Sequence, residues 1–177
     1  MTAVTNGRRA SMTKDLTIVS TTSPESEELV REYLDSHHSG ILGTADVSGN
    51  PRVAAVYYER DDDFCLTFAT KTETQKAKNM LENPQVAFVV YDEKEQTTIQ
   101  ITGRVEPIED DAAINHSVSA MVKNSAELSG REFTPAEKLE AGDYIAFKLV
   151  PLVIRLGIFA RPVSSEEEYY ETLLFSQ

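Results

Sequence analysis

Apolar residues recur along this chain with two different periods, and the switches between them mark out its elements. Residues 25–36 carry Leu29, Val30, Tyr33 and Leu34 at helical spacing, with Ser23 as the cap and Pro24 in the first turn. Short apolar runs then take over. Residues 40–47, 52–60 and 64–69 read as strands, separated by the turn chemistry of Ser48-Gly49-Asn50-Pro51 and of Asp61-Asp62-Asp63. Thr70 and Glu73 have capping-box spacing, which predicts a helix starting at Thr70 and ending at Asn83-Pro84. Residues 85–91 form a fourth strand and 97–108 a long fifth one. In the fifth, Thr98, Gln100, Thr102 and Arg104 share one face, and Ile99, Ile101 and Val105 the other.

Past Glu109 the helical period returns. Ala113, Ile114, Val118, Met121 and Val122 form one stripe over 110–123, residues 124–133 read as a loop, and Thr134-Pro135-Ala136-Glu137 opens a short helix. Residues 144–150 and 152–159 are strands interrupted at Pro151, and 164–175 reads as a terminal acidic helix docking through Tyr169, Tyr170, Leu173 and Leu174. Such short antiparallel connections imply a mainly β fold with helices, a six- to seven-stranded antiparallel split β-barrel that hides its sheet edges. The expected organisation is a loose tail over 1–24, one domain over 25–162 with a helical insert at 109–142, and a terminal segment over 163–177.

Charge changes this picture in one place. The 177 residues have a formal net charge of -12, yet from Thr70 to Met80 three lysines stand against one glutamate. A helix start presents free N–H groups and partial positive charge, and Lys71 and Lys76 add ammonium groups, so the strand-to-helix junction is expected to hold an anion. If the strands around Asp61 and Asp62 form a hairpin, Arg52 falls opposite Thr70 or within two residues of it. A guanidinium then joins the lysines, and phosphate suits the cradle. Lys78 belongs to a solvated helix face. The polar face of the fifth strand suits solvent or, through the Gln100 amide, the edge of a heteroaromatic ring.

The acidic balance excludes nucleic acid as a partner. No apolar run approaches the ~20 residues of a membrane span and no signal peptide opens the chain, so a cytoplasmic protein is expected. The single Cys65 lies in an apolar run and reads as a buried inert thiol, which excludes disulfides and cysteine-based zinc sites. His37 and His38 close the first helix, where a cation is favoured, and His116 has no second ligand at metal spacing. Asp61-Asp62-Asp63 lacks the glycine and distant glutamate of a calcium loop. No metal site and no serine-hydrolase elbow are expected. Arg8-Arg9-Ala10-Ser11 resembles a basophilic kinase site in the tail.

The motifs Gly40-Ile41-Leu42-Gly43-Thr44-Ala45-Asp46, Gly49-Asn50-Pro51-Arg52-Val53, Thr70-Lys71, Gln75-Lys76-Ala77-Lys78-Asn79, Glu82-Asn83-Pro84-Gln85-Val86-Ala87 and Ile101-Thr102-Gly103-Arg104-Val105-Glu106 follow one another in this order. Together they resemble the pyridoxamine 5'-phosphate oxidase-like family of flavin-binding split barrels, over residues 29–108 and more weakly over 143–162. The resemblance implies FMN at the interface of a homodimer. Arg52 and Lys76 would hold the phosphate with Gln75 nearby, backbone at Val53 and Ala54 would line the isoalloxazine, Ala69 and Thr70 would contact the cofactor, and Gln100 would meet the ring. The departures concern substrate. Tyr57 stands where true oxidases carry a lysine for the substrate phosphate, residues 110–133 offer no counterpart of the later substrate ligands, the chain has no Trp, and Arg155-Leu156-Gly157 matches the closing motif only weakly. The resemblance is therefore to the general-stress-protein-like branch and not to a vitamin B6 oxidase. It implies a flavoprotein exchanging hydride between NAD(P)H and a small acceptor, with no catalytic residue named. A flavin carrier or sensor, and a deazaflavin- or haem-binding relative, are the alternatives.

Overall fold

The computed structural model describes residues 16–129, 143–162, 164–165 and 169–176. Nine antiparallel strands and three helices are present among them. Helix α1 (Ser26–Ser36) buries Val30, Tyr33 and Leu34. Strand β2 (Ser39–Ala45) pairs with β3 (Pro51–Tyr57), the short β4 (Glu59–Arg60) pairs with β5 (Leu66–Lys71), and α2 (Gln75–Glu82) leads into β6 (Gln85–Asp92). Strand β7 (Thr97–Ile108) precedes α3 (Asp111–Ser129), and β8 (Tyr144–Ile158) precedes β9 (Tyr170–Phe175). The first strand, β1 (Ile18–Thr21), pairs with β9.

The sheet runs β1-β9-β8-β7-β6-β2-β3, and the long β8 is where it splits. Its first half pairs with β5, from Tyr144 to Leu149, and its second half pairs with β9, from Val153 to Gly157, while β7 flanks both. Directly opposed residues share a face, so the register defines the core. Leu42, Phe88, Ile101, Ile154 and Leu173 stand opposite one another across β2, β6, β7, β8 and β9, and all are buried. The next row along, Ala55, Ile41, Val89, Gln100 and Arg155, lies on the outer face.

Several expectations give way here. The helix expected over 164–175 is not what residues 170–175 form: β9 alternates, with Glu171, Leu173 and Phe175 buried, and joins the sheet between β8 and β1. Glu171 is a charged residue at an inward position, held by Arg161 Nη1 at 2.7 Å and the Ser26 hydroxyl at 2.8 Å. Burial pushes its carboxyl up, and these bonds pull it further down, below the ordinary glutamate range. The stretch before Pro24 is likewise not wholly a tail, because β1 completes that edge. Helix α1 has Glu25 at its N-cap without a side-chain cap bond, and Ser23 bonds Ser26 and Glu171 instead. Pro151 does not break β8. It sits opposite Gly103 at a register shift, so the ladder absorbs its missing donor as a bulge. Helix α3 continues through 124–129, expected as loop, and the short helix expected at Thr134 lies outside the described residues, as does Arg8-Arg9-Ala10-Ser11.

Candidate functional site

The turn between β2 and β3 sets one wall of the site. The Asp46 carboxylate accepts from the Ser48 and Asn50 backbone N–H groups at 2.9 and 3.0 Å, and Gly49 supplies the positive φ of +83° that closes the turn. This tight hairpin puts Arg52 directly opposite Thr44. The opposite wall is the first turn of α2. Thr74, not Thr70, is its N-cap: the Thr74 hydroxyl accepts from the Ala77 N–H at 3.4 Å. The expected capping box fails because Thr70 and Lys71 still belong to β5, committed to backbone pairing with Ile145 and Tyr144 of β8. Thr70 supports the cap from behind, with its hydroxyl 3.3 Å from that of Thr74. At the far end Asn83 Nδ2 donates to the Ala45 carbonyl at 3.2 Å, which ties α2 to β2.

Between these walls lies a cavity of about 430 Å³ lined by Thr44, Pro51, Arg52, Val53, Ala54, Thr74, Gln75 and Lys76. Five of the nine expected cofactor residues, Arg52, Val53, Ala54, Gln75 and Lys76, come together there. Ala69 and Thr70 are buried behind the wall, and Lys71 ends β5 outside the lining. Gln100 is exposed on the outer sheet face, three strand spacings or about 14 Å from the β3 position opposite it. Thr44, Pro51 and Thr74 had not been expected. The signal for Thr44 was the register of the 46–50 turn, which pairs it with Arg52.

The expected hairpin forms only near its tip, and there it turns about Asp63 and not about Asp61 or Asp62. Glu59 pairs with Thr67 and Arg60 with Leu66, but the ladder ends at Tyr58, whose N–H donates to the His38 carbonyl at 3.1 Å. Arg52 therefore reaches the helix start because α2 packs over β2 and β3, and not through pairing with Thr70.

The cavity lining carries two positive charges. Neither Arg52 nor Lys76 has an ion-pair partner among the described residues of this acidic chain, whereas Arg60, Lys148 and Arg161 pair with Asp35, Asp61 and Glu171. Burial holds the Lys76 ammonium below the ordinary lysine range. These two cations stand beside the N–H groups of a helix start, an arrangement that suits an anion.

The other candidates take structural parts. Cys65 is buried, and burial pushes its thiol up to about 12. His37 is the C-cap of α1, with Nδ1 2.8 Å from the Tyr33 carbonyl, and His116 pairs with Glu59 at 3.4 Å. Asp61 accepts from the N–H groups of Asp63 and Cys65, as a turn residue does. Among the described residues no cluster could hold a metal ion, and no helix is long and apolar enough to cross a membrane.

Residues 26–156 match the family model described as pyridoxamine 5'-phosphate oxidase. A pyridoxine/pyridoxamine 5'-phosphate oxidase of Deinococcus deserti is 31% identical over 118 residues, covering 58% of this chain and 55% of that protein. The chain spans about half the length of the curated relatives it matches. Three solved structures share the fold. A haem-binding protein from Mycobacterium smegmatis has a TM-score of 0.59 at 17% identity, covering 83% of this chain and 60% of that one. General stress protein 26 from Bacillus anthracis has 0.56 at 20% identity, covering 75% and 93%. A pyridoxamine 5'-phosphate oxidase-related, FMN-binding protein from Nostoc punctiforme has 0.55 at 13% identity, covering 88% and 98%.

Proposed function

The chain belongs to the pyridoxamine 5'-phosphate oxidase family, and on that premise we propose that it is an FMN-binding flavoprotein whose phosphate site is the cavity between Arg52 and Lys76. The observation that carries this reading is the pair of cations, without an ion-pair partner among the described residues, converging on one helix start in a chain of net charge -12. Arg52 supplies a planar fork of donors, Lys76 a point charge, and the N–H groups after Thr74 the remainder. Val53, 76% exposed beside the cavity, offers an apolar surface to a ring. FMN, when bound, supplies hydride chemistry, and the proposed activity is hydride exchange between NAD(P)H and a small-molecule acceptor. The residues of the chain bind and orient it. Haem is the weaker reading, because among the described residues the cavity lining contains no His, Cys, Met or Tyr to serve as an axial ligand.

The same proposal includes a cytoplasmic homodimer with FMN at its interface. Ile41, Val53 and Tyr91 are large apolar residues exposed on the outer sheet face, and Gly43, Ala55 and Ala87 keep the surface between them low. A second copy laid across this face would cover them and bring Gln100 within reach of a bound ring. Ile41→Arg places a charge on that face and should convert the dimer to a monomer in sedimentation velocity; an unchanged sedimentation coefficient rejects this interface.

FMN binding is tested by quenching of flavin fluorescence. Retention at micromolar FMN is expected, and no binding there rejects the reading. Anaerobic bleaching by NAD(P)H then separates turnover from carriage. Affinity should follow pH on both sides. It rises as the phosphate takes its second charge near pH ~6. It falls again as Lys76 loses its proton, starting below the ordinary lysine value of 10.5 because burial disfavours the ammonium.

A further inference from the structure

Behind the two cations, the cavity floor carries a buried neutral network. Asn79 lies one turn after Gln75 on α2 and is 1% exposed. Its Oδ1 accepts from Gln75 Nε2 at 2.8 Å, and its Nδ2 donates to Thr44 Oγ1 at 3.2 Å. A hydroxyl has one proton to give and two lone pairs to receive with. At Thr44 the amide occupies the accepting side, so the proton is not spent on Asn79. Among the described residues no other group takes it. Thr44 is only 5% exposed, yet it lines the cavity, so its donor is shut off from bulk water on every side but one. A buried donor without an acceptor is costly, and it is satisfied here only by something standing in the cavity. The register sets that donor beside Arg52 on the adjacent strand.

Resting on the phosphate reading above, we propose that Thr44 is a further ligand of the phosphate group and that Asn79 is a positioning residue that aims the Thr44 proton into the cavity. The site thus joins two cations at its mouth with one oriented neutral donor on its floor. The floor donor recognises a phosphate oxygen and makes no contribution to an uncharged ligand that ends short of it.

The test compares FMN with riboflavin, which lacks only the phosphate, on the 177-residue chain by fluorescence quenching. Thr44→Val keeps the shape and removes the hydroxyl. It should weaken FMN about tenfold, the worth of one lost hydrogen bond to a charged group, with riboflavin affinity unchanged. Thr44→Ala, which adds no bulk to the floor, should repeat the loss, and Thr44→Ser should restore FMN affinity. Asn79→Leu should weaken FMN in the parent and add nothing in the Thr44→Val background, since Asn79 acts through Thr44. Equal losses for FMN and riboflavin, or undiminished FMN affinity in Thr44→Val, overturn the proposal and leave the Arg52 and Lys76 site intact. Additive losses from Asn79→Leu remove its positioning role. A parent protein that binds no FMN at all overturns the phosphate reading and this proposal with it.

Discussion

Arg52→Glu combined with Lys76→Glu is expected to abolish FMN retention while the fold persists. Each cation offers the phosphate a charge-assisted hydrogen bond of about 1.5–3 kcal/mol. Losing both weakens binding by about 3–6 kcal/mol, or about two to four orders of magnitude in Kd, before the repulsion of two new carboxylates is added. The fold should tolerate the change because neither residue sits in an ion pair among the described residues, and Arg52 is exposed on β3. Reversing Lys78 is the matched control. It lies on the same helix with its side chain exposed, so it alters the field around the site without touching the cavity. Titrations read by fluorescence quenching and melting curves read by circular dichroism separate the outcomes. Unchanged affinity in the double variant, or an equal loss in Lys78→Glu, rejects the phosphate cradle.

The parts of this site differ in how readily the sequence discloses them. Lys76 and Gln75 stand out through charge contrast and a motif that lies wholly within one helix. Arg52 needed a second element, and the expected route to it, hairpin pairing with Thr70, was incorrect, although the convergence it pointed to is present. What misled was the assumption of one continuous strand from 52 to 60. Tyr58 turns its N–H to His38, and the strand divides there. Thr44 was hidden because its part depends on the partner across a turn and on Asn79 across a helix-to-strand contact. Strand β7 was the most legible element, its observed bounds Thr97–Ile108 being those expected, because strict alternation runs along most of its length. β9 was misread for the opposite reason. Its inward positions are Glu171, Leu173 and Phe175, and a charged residue at the first of them disguises a period of two. Arg161, Ser23 and Ser26, brought to it by the fold, make that burial tolerable.

The strand assignment at the C-terminus makes its own prediction, that Leu173→Ala and Leu174→Ala differ sharply. In β9 these neighbours point to opposite faces. Leu173 is 0% exposed and ends the core row that begins at Leu42, while Leu174 is 39% exposed. Truncating Leu173 should cost about 2–5 kcal/mol, since the row across β8 and β9 cannot close over the space left behind. Truncating Leu174 should cost under about 0.5 kcal/mol, as surface substitutions generally do. A loss of the first size lowers the melting temperature by roughly 4–20 °C in a chain of this length, and chemical denaturation at constant slope confirms that stability alone has changed. The Leu173 variant should also speed amide exchange in β1, because β9 is the strand through which β1 joins the sheet. A helix docked through Leu173 and Leu174 together would lose comparable stability from either substitution. Equal losses would therefore reject the strand and, with it, the closure of the sheet by β9 and β1.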